Sequence, residues 1–349
     1  MIFTKLGRTG MNVGILGLGM EHLTPENIGP TVARAIERGM NYIDIMIWAP
    51  ERKDAFGAAL EGQRHKVILA GHLGVAETKG QYRKTRDLKE CDDLFHDQLR
   101  RLGTDHVDIL HLTYVDSPEE YEQVTGPGGI LEMALRLKKE GKARFLGTSG
   151  HEPGIALKFV ESGLIDVVMQ PINLSCAGWP AFRDMCHVCA SQGVALVAMK
   201  AFKGGEYVTR EKPLSPITCL SYALAQPGVA TVAMGVKNVA ELDANLRYLE
   251  ATDAQKDFAA AVAEAQHDMK GVCVYCNHCL PCESEIDIPE VIRLLVMAQH
   301  GLTPEIKSAY AALPVKASDC TECALCMDRC PFGVDIIGKM REAAEVFGV

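Results

Sequence analysis

From residue 13 onward, short apolar runs alternate with longer stretches in which apolar residues recur every three or four positions. The runs Val13–Leu18, Asn41–Ile45, Val67–Ala70, Val107–Leu112, Phe145–Ser149, Val167–Gln170, Ala195–Lys200 and Thr231–Met234 predict strands. The stretches Pro30–Gly39, Lys53–Gly62, Asp87–Leu102, Ile130–Gly141, Pro153–Gly163, Phe182–Gln192 and Pro216–Gln226 predict helices, with a further one starting near Val239. Several end at glycine, which tolerates the left-handed conformation of a helix C-cap. Eight βα units in a row predict an α/β fold, either a closed (β/α)8 TIM barrel or a doubly wound sheet. Gly17 and Gly19 follow the first strand, but the third glycine of a dinucleotide fingerprint is missing, so the barrel is preferred. A helical connector, Asp253–Met269, leads into a cysteine-rich tail. The expected division is a barrel over residues 1–262 and a small, mostly helical domain over 263–349.

Composition narrows the partners. The 349 residues are 48% hydrophobic and 23% charged, an ordinary globular balance. The net charge of -9 offers no basic surface to nucleic acid or an anionic membrane. Neither the N-terminal stretch nor any later segment is apolar for long enough to act as a signal peptide or membrane span. The expected location is the cytoplasm, with no nucleic-acid or membrane partner.

Of the 13 cysteines, eight fall in two tight groups after residue 272. In a cytosolic chain such groups point to metal rather than disulfides. The second reads Cys320-Thr-Glu-Cys323-Ala-Leu-Cys326-Met-Asp-Arg-Cys330-Pro331, the C-x2-C-x2-C-x3-C-P run of bacterial ferredoxins. The first reads Cys273-Val-Tyr-Cys276-Asn-His-Cys279-Leu-Pro-Cys282. It is one residue shorter, with Glu283 in place of the proline. In such runs the fourth cysteine serves the other cluster. The expected cofactors are therefore two [4Fe-4S] clusters with crossed ligands. Cys273, Cys276, Cys279 and Cys330 would hold one, and Cys282, Cys320, Cys323 and Cys326 the other. The alternative is a pair of four-cysteine zinc sites, which also use C-x2-C pairs.

LGRTGMNVGILGLGM at the start, NYID at 41–44, KVILA at 66–70, HVDIL at 106–110 and RFLGTSGH at 144–151 resemble the aldo-keto reductase superfamily. So do DVVMQPIN at 166–173, VAMKAFKGG at 197–205 and VAMGVKNVAELDANL at 232–246. With the tail, the resemblance is to the branch fused to a ferredoxin-like 2[4Fe-4S] domain. It implies a (β/α)8 barrel, NAD(P)H as hydride donor and a tyrosine acid tuned by an aspartate, a lysine and a histidine. The aspartate position holds Asp44. The tyrosine position holds Ala49, the lysine position His72 and the histidine position Thr113. Alanine cannot donate a proton, so the usual acid is lost.

Polar side chains nonetheless gather where barrel strands end, the face on which such barrels place their chemistry. Asp44, His72, His111 and Thr113 are expected to point inward, with His111 sharing the parity of Thr113. Glu21, His22, His151 and Lys200 follow other strands. Tyr114 and Trp48 flank the altered positions as a candidate acid or aromatic wall. Four histidines near one rim point to proton transfer first and a metal site second. The candidate catalytic set is Asp44, His72, His111, Thr113 and Tyr114.

For a nicotinamide cofactor, the resemblance implies Gly235, Val236, Lys237 and Asn238 at the phosphates, Asn245 near the adenine, and Ser149, Gln170 and Asn173 near the nicotinamide. Lys200 is available to an anionic group. Glu241 stands where NADPH users often carry arginine, so NADH is favoured over NADPH. Met199 replaces a frequent stacking tyrosine.

The leading expectation is an iron–sulfur oxidoreductase of anaerobic metabolism, exchanging electrons between clusters and a small substrate at the barrel mouth, with a redox partner protein as a further expectation. One alternative is an NAD(P)H-dependent aldehyde or ketone reductase with substitute acids. Another is a non-enzymatic electron-transfer or redox-sensing subunit. Cys186 and Cys189 form a C-x2-C on a helix and read as buried structural thiols, as does Cys176 in a loop. Gly126–Gly129 reads as a turn, and Lys138, Lys139 and Lys142 as a solvated face.

Overall fold

The computed structural model describes residues 1–46, 49–78, 81–209, 211, 213–265 and 271–348. The chain opens with an antiparallel hairpin of β1 (Phe3–Lys5) and β2 (Asn12–Gly14). Then follow β3 (Leu16–Gly19), α1 (Pro25–Glu37), β4 (Tyr42–Asp44), α2 (Pro50–Leu60) and β5 (Ile68–Leu73). A second antiparallel hairpin, β6 (Val75–Thr78) with β7 (Gln81–Lys84), precedes α3 (Leu88–Arg101), β8 (Val107–Thr113), α4 (Pro118–Thr125) and α5 (Ile130–Lys139). The barrel continues with β9 (Ala143–Ser149), α6 (Pro153–Glu161), β10 (Val167–Pro171), α7 (Pro180–Ser191) and β11 (Ala195–Met199). It ends with α8 (Glu206–Thr209), α9 (Pro216–Ala225), β12 (Val229–Gly235) and α10 (Val239–Leu246).

Strands β3, β4, β5, β8, β9, β10, β11 and β12 close into one parallel barrel, as the alternating pattern predicts. Side chains alternate across each strand, so one parity fills the interior and the other packs under the helices. Tyr42, Ile68, Ala70, Ile109, Val167, Met169, Val197 and Ala233 form the inner core, joined by Leu6 and Val13 of the opening hairpin. The other parity, including Ile43, Leu69, Leu110, Leu112, Val168 and Leu196, packs with the helices in a second core.

Register then decides what the barrel presents. Asp44 pairs with Ala70, His72 with His111, His111 with Gly147, and Thr113 with Ser149. Asp44, His72 and Thr113 therefore share the inward parity near the C-terminal strand ends, with His111 level with His72 and two residues before Thr113 along β8.

The expected first strand, Val13–Leu18, divides into β2 and β3, because its first residues belong to the hairpin. Helix α1 begins at Pro25 rather than Pro30, with proline at a helix start where its missing N–H costs nothing. The expected connector helix, whose last residues, 266–269, lie outside the described residues, breaks. α11 (Asp253–Lys256) ends where Asp257 leaves helical geometry, and α12 (Ala259–Ala265) restarts as the Asp257 carboxylate accepts the Ala259 N–H. The expected boundary at 262/263 falls inside α12.

The tail holds α13 (Ile288–Gln299), α14 (Pro304–Ala312), α15 (Leu325–Arg329) and α16 (Ile336–Phe347). It repeats itself. Five residues beyond the last cysteine of each group an aspartate, Asp287 or Asp335, caps a helix that opens with isoleucine. These helices, α13 and α16, pack on each other, and α13 also packs on α7 of the barrel. Tyr275 bonds to His187 of α7 at 2.8 Å. Arg293 lies over the Tyr275 ring and donates to the Ala225 carbonyl at 3.1 Å. Among the described residues, no helix is long and apolar enough to cross a membrane.

Candidate functional site

A cavity of about 900 Å³ opens at the C-terminal end of the barrel, lined by Asp44, His72, Tyr114, His151 and Lys200 among others. At its floor β4, β5 and β8 build one hydrogen-bonded group. His72 Nε2 lies 2.8 Å from Asp44 Oδ1, and His72 Nδ1 lies 2.8 Å from Thr113 Oγ1. Both His72 and Asp44 are nearly buried, which strengthens the pairing relative to water. With Asp44 ionised, Nε2 keeps its hydrogen and Nδ1 accepts the Thr113 hydroxyl. If Nδ1 also takes a proton, that hydroxyl has a second acceptor, the His111 carbonyl at 3.3 Å.

His111 is the register partner of His72 on the neighbouring strand β8, with ring centroids 5.3 Å apart. It is fully buried, and among the described residues neither ring nitrogen has a hydrogen-bond partner. Burial, then the neighbouring His72, pushes its basicity well below that of an ordinary histidine. Space for the ring comes from Gly147, where a Cβ would stand 2.5 Å from His111 Nδ1 and 2.7 Å from the Val167 carbonyl oxygen.

A second group lies on the rim. Tyr114 and Lys200 follow the ends of β8 and β11, and both hold left-handed backbones, φ 55° and 54°. Such conformations are strained for large side chains and collect at functional sites. Arg86 pins the Tyr114 turn by donating to the Tyr114 carbonyl at 2.7 Å, and Asn173 donates to the Lys200 carbonyl at 3.1 Å. His151 joins the two residues. Its ring stacks on Tyr114 at 5.8 Å, and its Nε2 meets Lys200 Nζ at 2.8 Å. Tyr82, from the hairpin β6–β7, stacks on the other face of Tyr114 at 5.4 Å. Burial, then Tyr82, raises the Tyr114 phenol well above its usual range. Asp116 closes the group, accepting the His151 backbone N–H at 2.6 Å and lying 3.4 Å from Nδ1. Burial opposes its ionisation, but the bonds from His151 outweigh it and keep the carboxyl below its ordinary value.

Ser149, Gly235, Lys237 and Asn245 also line the cavity, whereas Gln170 and Asn173 are buried behind its wall. Both lone pairs of the Asn173 carbonyl are taken by Ser175. Asn238 caps α10 through the Glu241 N–H, and Glu241 Oε2 accepts the Lys237 N–H at 2.9 Å. A carboxylate of the chain thus occupies one amide of the expected phosphate loop. Trp48 lies outside the described residues. Tyr82 and Asp116 carry no motif. Residues 75–84, VAETKGQYRK, show no apolar–polar alternation that would mark Tyr82.

In the tail, Cys273, Cys276, Cys279 and Cys330 line one small cavity, and Cys282, Cys320, Cys323 and Cys326 line another. The residues just before and after the second cysteine of each group, Tyr275 and Asn277, Glu322 and Ala324, are all left-handed. The two loops therefore share one backbone path, which turns three thiols toward one side. Arg329 links the loops through the Cys279 carbonyl at 2.9 Å and the Pro281 carbonyl at 2.6 Å. Burial, then the neighbouring thiols, pushes Cys273 up to about 11 and Cys279 up to about 12. Among the described residues, no three His, Cys, Asp or Glu converge closely enough to hold a single metal ion. Cys186 and Cys189 are buried in α7, and burial raises both thiols far above the ordinary value.

Residues 11–218 match the model of the aldo/keto reductase family. The uncharacterized oxidoreductase YqkF of Bacillus subtilis (strain 168) is 24% identical over 283 residues, 70% of this chain and 89% of that protein. L-galactose dehydrogenase of Arabidopsis thaliana is 25% identical over 281 residues, 69% and 86%. The holo form of aldo-keto reductase AKR11C1 from Bacillus halodurans superposes with a TM-score of 0.62 at 23% identity, over 76% of this chain and 97% of that one. The matched span covers more than half of the sequence and the barrel that carries the mouth: the chain belongs to the aldo/keto reductase family of oxidoreductases.

Proposed function

We propose that this protein is an iron–sulfur oxidoreductase whose tail holds two [4Fe-4S] clusters and whose barrel mouth takes a small substrate. The observation that carries this reading is the partition of eight cysteines into two cavities, each drawing three thiols from one group and one from the other. The surroundings suit cubanes: Ile286, Ile288 and Met340 flank one quartet, and Ile292, Phe332 and Val334 the other. Thiols spread around a void favour a cluster over a single zinc ion, which needs its four ligands to meet at one point. When bound, the clusters supply single-electron transfer.

The chain's own residues supply binding and protons. Asp44 lines the mouth with Oδ1 committed to His72, leaving Oδ2 for a substrate oxygen. His72 bonds the far oxygen of that carboxylate, and the Thr113 hydroxyl, which also reaches the His111 carbonyl, bonds the other ring nitrogen. Asp44 is the catalytic acid–base group, and His72, Thr113 and His111 are its positioning residues. This arrangement suits a barrel with Ala49, His72 and Thr113 at the positions the resemblance gives to tyrosine, lysine and histidine.

A second reading, NAD(P)H-dependent reduction of an aldehyde or ketone, is favoured by family membership and by the cavity lining of Ser149, Gly235 and Asn245. Those residues would hold the dinucleotide, which supplies a hydride when bound. Glu241 at the phosphate loop favours NADH.

Anaerobically purified protein tests the first reading. About eight irons and eight sulfides per chain are expected, with a brown absorbance and a paramagnetic signal on reduction. Cys330→Ala should disturb the cluster of the first group, and Cys282→Ala that of the second. A colourless, zinc-loaded tail overturns it. NADH consumption with simple carbonyls, indifferent to the iron content, establishes the second reading instead.

A further inference from the structure

Lys200 carries a cation at the mouth whose nearest hydrogen-bond partner is not a carboxylate. An ammonium only donates, so His151 Nε2 accepts from Nζ at 2.8 Å. The His151 hydrogen is then on Nδ1, facing Asp116 Oδ2 at 3.4 Å. A neutral ring thus holds the ammonium in place without cancelling its charge, and two of its three N–H groups remain. Lys203, three residues on, differs: Glu206 pairs with it at 3.0 Å. The left-handed backbone at Lys200 fixes this direction at a cost in strain, as does that of Tyr114 across the same histidine.

The rest of the lining defines what accompanies the anion. Met46, Met169 and Met199 give a soft apolar lining, and Tyr82 and Tyr114 an aromatic wall. Beyond Lys200, the four carboxylates Glu21, Asp44, Glu206 and Glu241 outnumber Lys203 and Lys237 in the same lining and would repel a second negative charge.

We propose that the mouth selects a monocarboxylate with an apolar body, anchored by Lys200, with the His151–Asp116 pair orienting the ammonium. This rests on the reading of the mouth as the substrate site. It withdraws Lys200 from the dinucleotide set and gives it to the substrate. The carboxylate accepts the two remaining N–H groups, while the reducible group extends toward Asp44. No bond is made or broken at Lys200.

The test is equilibrium binding to the anaerobic full-length protein by calorimetry, with cinnamate and its neutral isostere cinnamamide as probes. Cinnamate should bind at least about tenfold more tightly, the ratio expected when one charge-assisted contact is lost. Lys200→Met should erase the preference and Lys200→Arg should keep it. In the wild type, cinnamate affinity should fall with added salt while that of the amide stays level, so a misfolded variant does not decide the matter. Equal binding of the two probes overturns the proposal, and so does a preference that survives in Lys200→Met. Because the readout is binding without turnover, an iron-free tail would defeat the cluster reading and leave this result standing.

Discussion

His187 Nε2 lies 2.8 Å from the hydroxyl of Tyr275, joining a barrel helix to the first cysteine loop. Burial holds His187 down to about 4 and pushes the Tyr275 phenol up, so a neutral imidazole accepts from the phenol at pH 7. Tyr275→Phe leaves a buried nitrogen without its donor, a loss of about 1–3 kcal/mol. A lowered unfolding midpoint is expected, together with faster amide exchange in α7 and α13. Unchanged exchange in both helices would show that this contact does not hold the tail to the barrel.

Gly147 gives up its side chain to His111. In Gly147→Ala the new methyl meets the ring and the Val167 carbonyl together, and the carbonyl cannot swing away. A destabilisation of about 1–3 kcal/mol is expected from such overpacking, read by urea unfolding. In the double variant with His111→Ala the part due to the ring should disappear and the part due to the Val167 carbonyl should remain.

The buried His111 also sets a pH dependence. Its folded-state pKa is far below 6.5, so the unfolded chain takes up a proton that the folded chain refuses. This contribution is intact above pH 6.5 and is lost as pH falls below it, by up to about 1.4 kcal/mol per unit. His111→Leu removes two orphaned nitrogens as well, and should flatten the decline in unfolding free energy between pH 6.5 and 5. An unaltered decline would assign it to other groups.

If Asp44 exchanges the proton with substrate, Asp44→Asn should lower kcat by about 10²–10⁴-fold, the usual weight of a general acid. Thr113→Val should cost less, because His72 keeps Asp44. Rates of carbonyl reduction with an artificial electron donor and with NADH, measured separately, check both. Retention of full activity in Asp44→Asn would remove it from the chemistry.

Glu241 occupies the Lys237 amide. Glu241→Gln removes the charge near the expected 2′-phosphate position and should raise NADPH affinity by about tenfold, with little change for NADH. Fluorescence titration of each dinucleotide reads this directly. No binding of either form would leave the loop as simple helix capping.

The barrel was legible because its signal repeats: runs such as Val107–Leu112 are too short for helices and recur between amphipathic stretches. The resemblance brought Asp44, His72 and Thr113 to one rim, and strand parity added His111. The His72 bridge between Asp44 and Thr113 was not legible, since it depends on the stagger of neighbouring strands. Tyr82 and Asp116 escaped notice because hairpins and loops carry weak periodicity. The break at Asp257 was hidden by the helix-favouring alanines around it, which outweigh a single capping residue in any local sum.

The exchanged fourth cysteines make the tail indivisible. A chain cut before Cys320 keeps the whole first group in sequence, yet retains only three of one quartet and one of the other. If the quartets hold clusters as proposed, neither half can be matured, lost or transplanted singly, and damage at one cysteine loop is felt in the opposite pocket as well as its own.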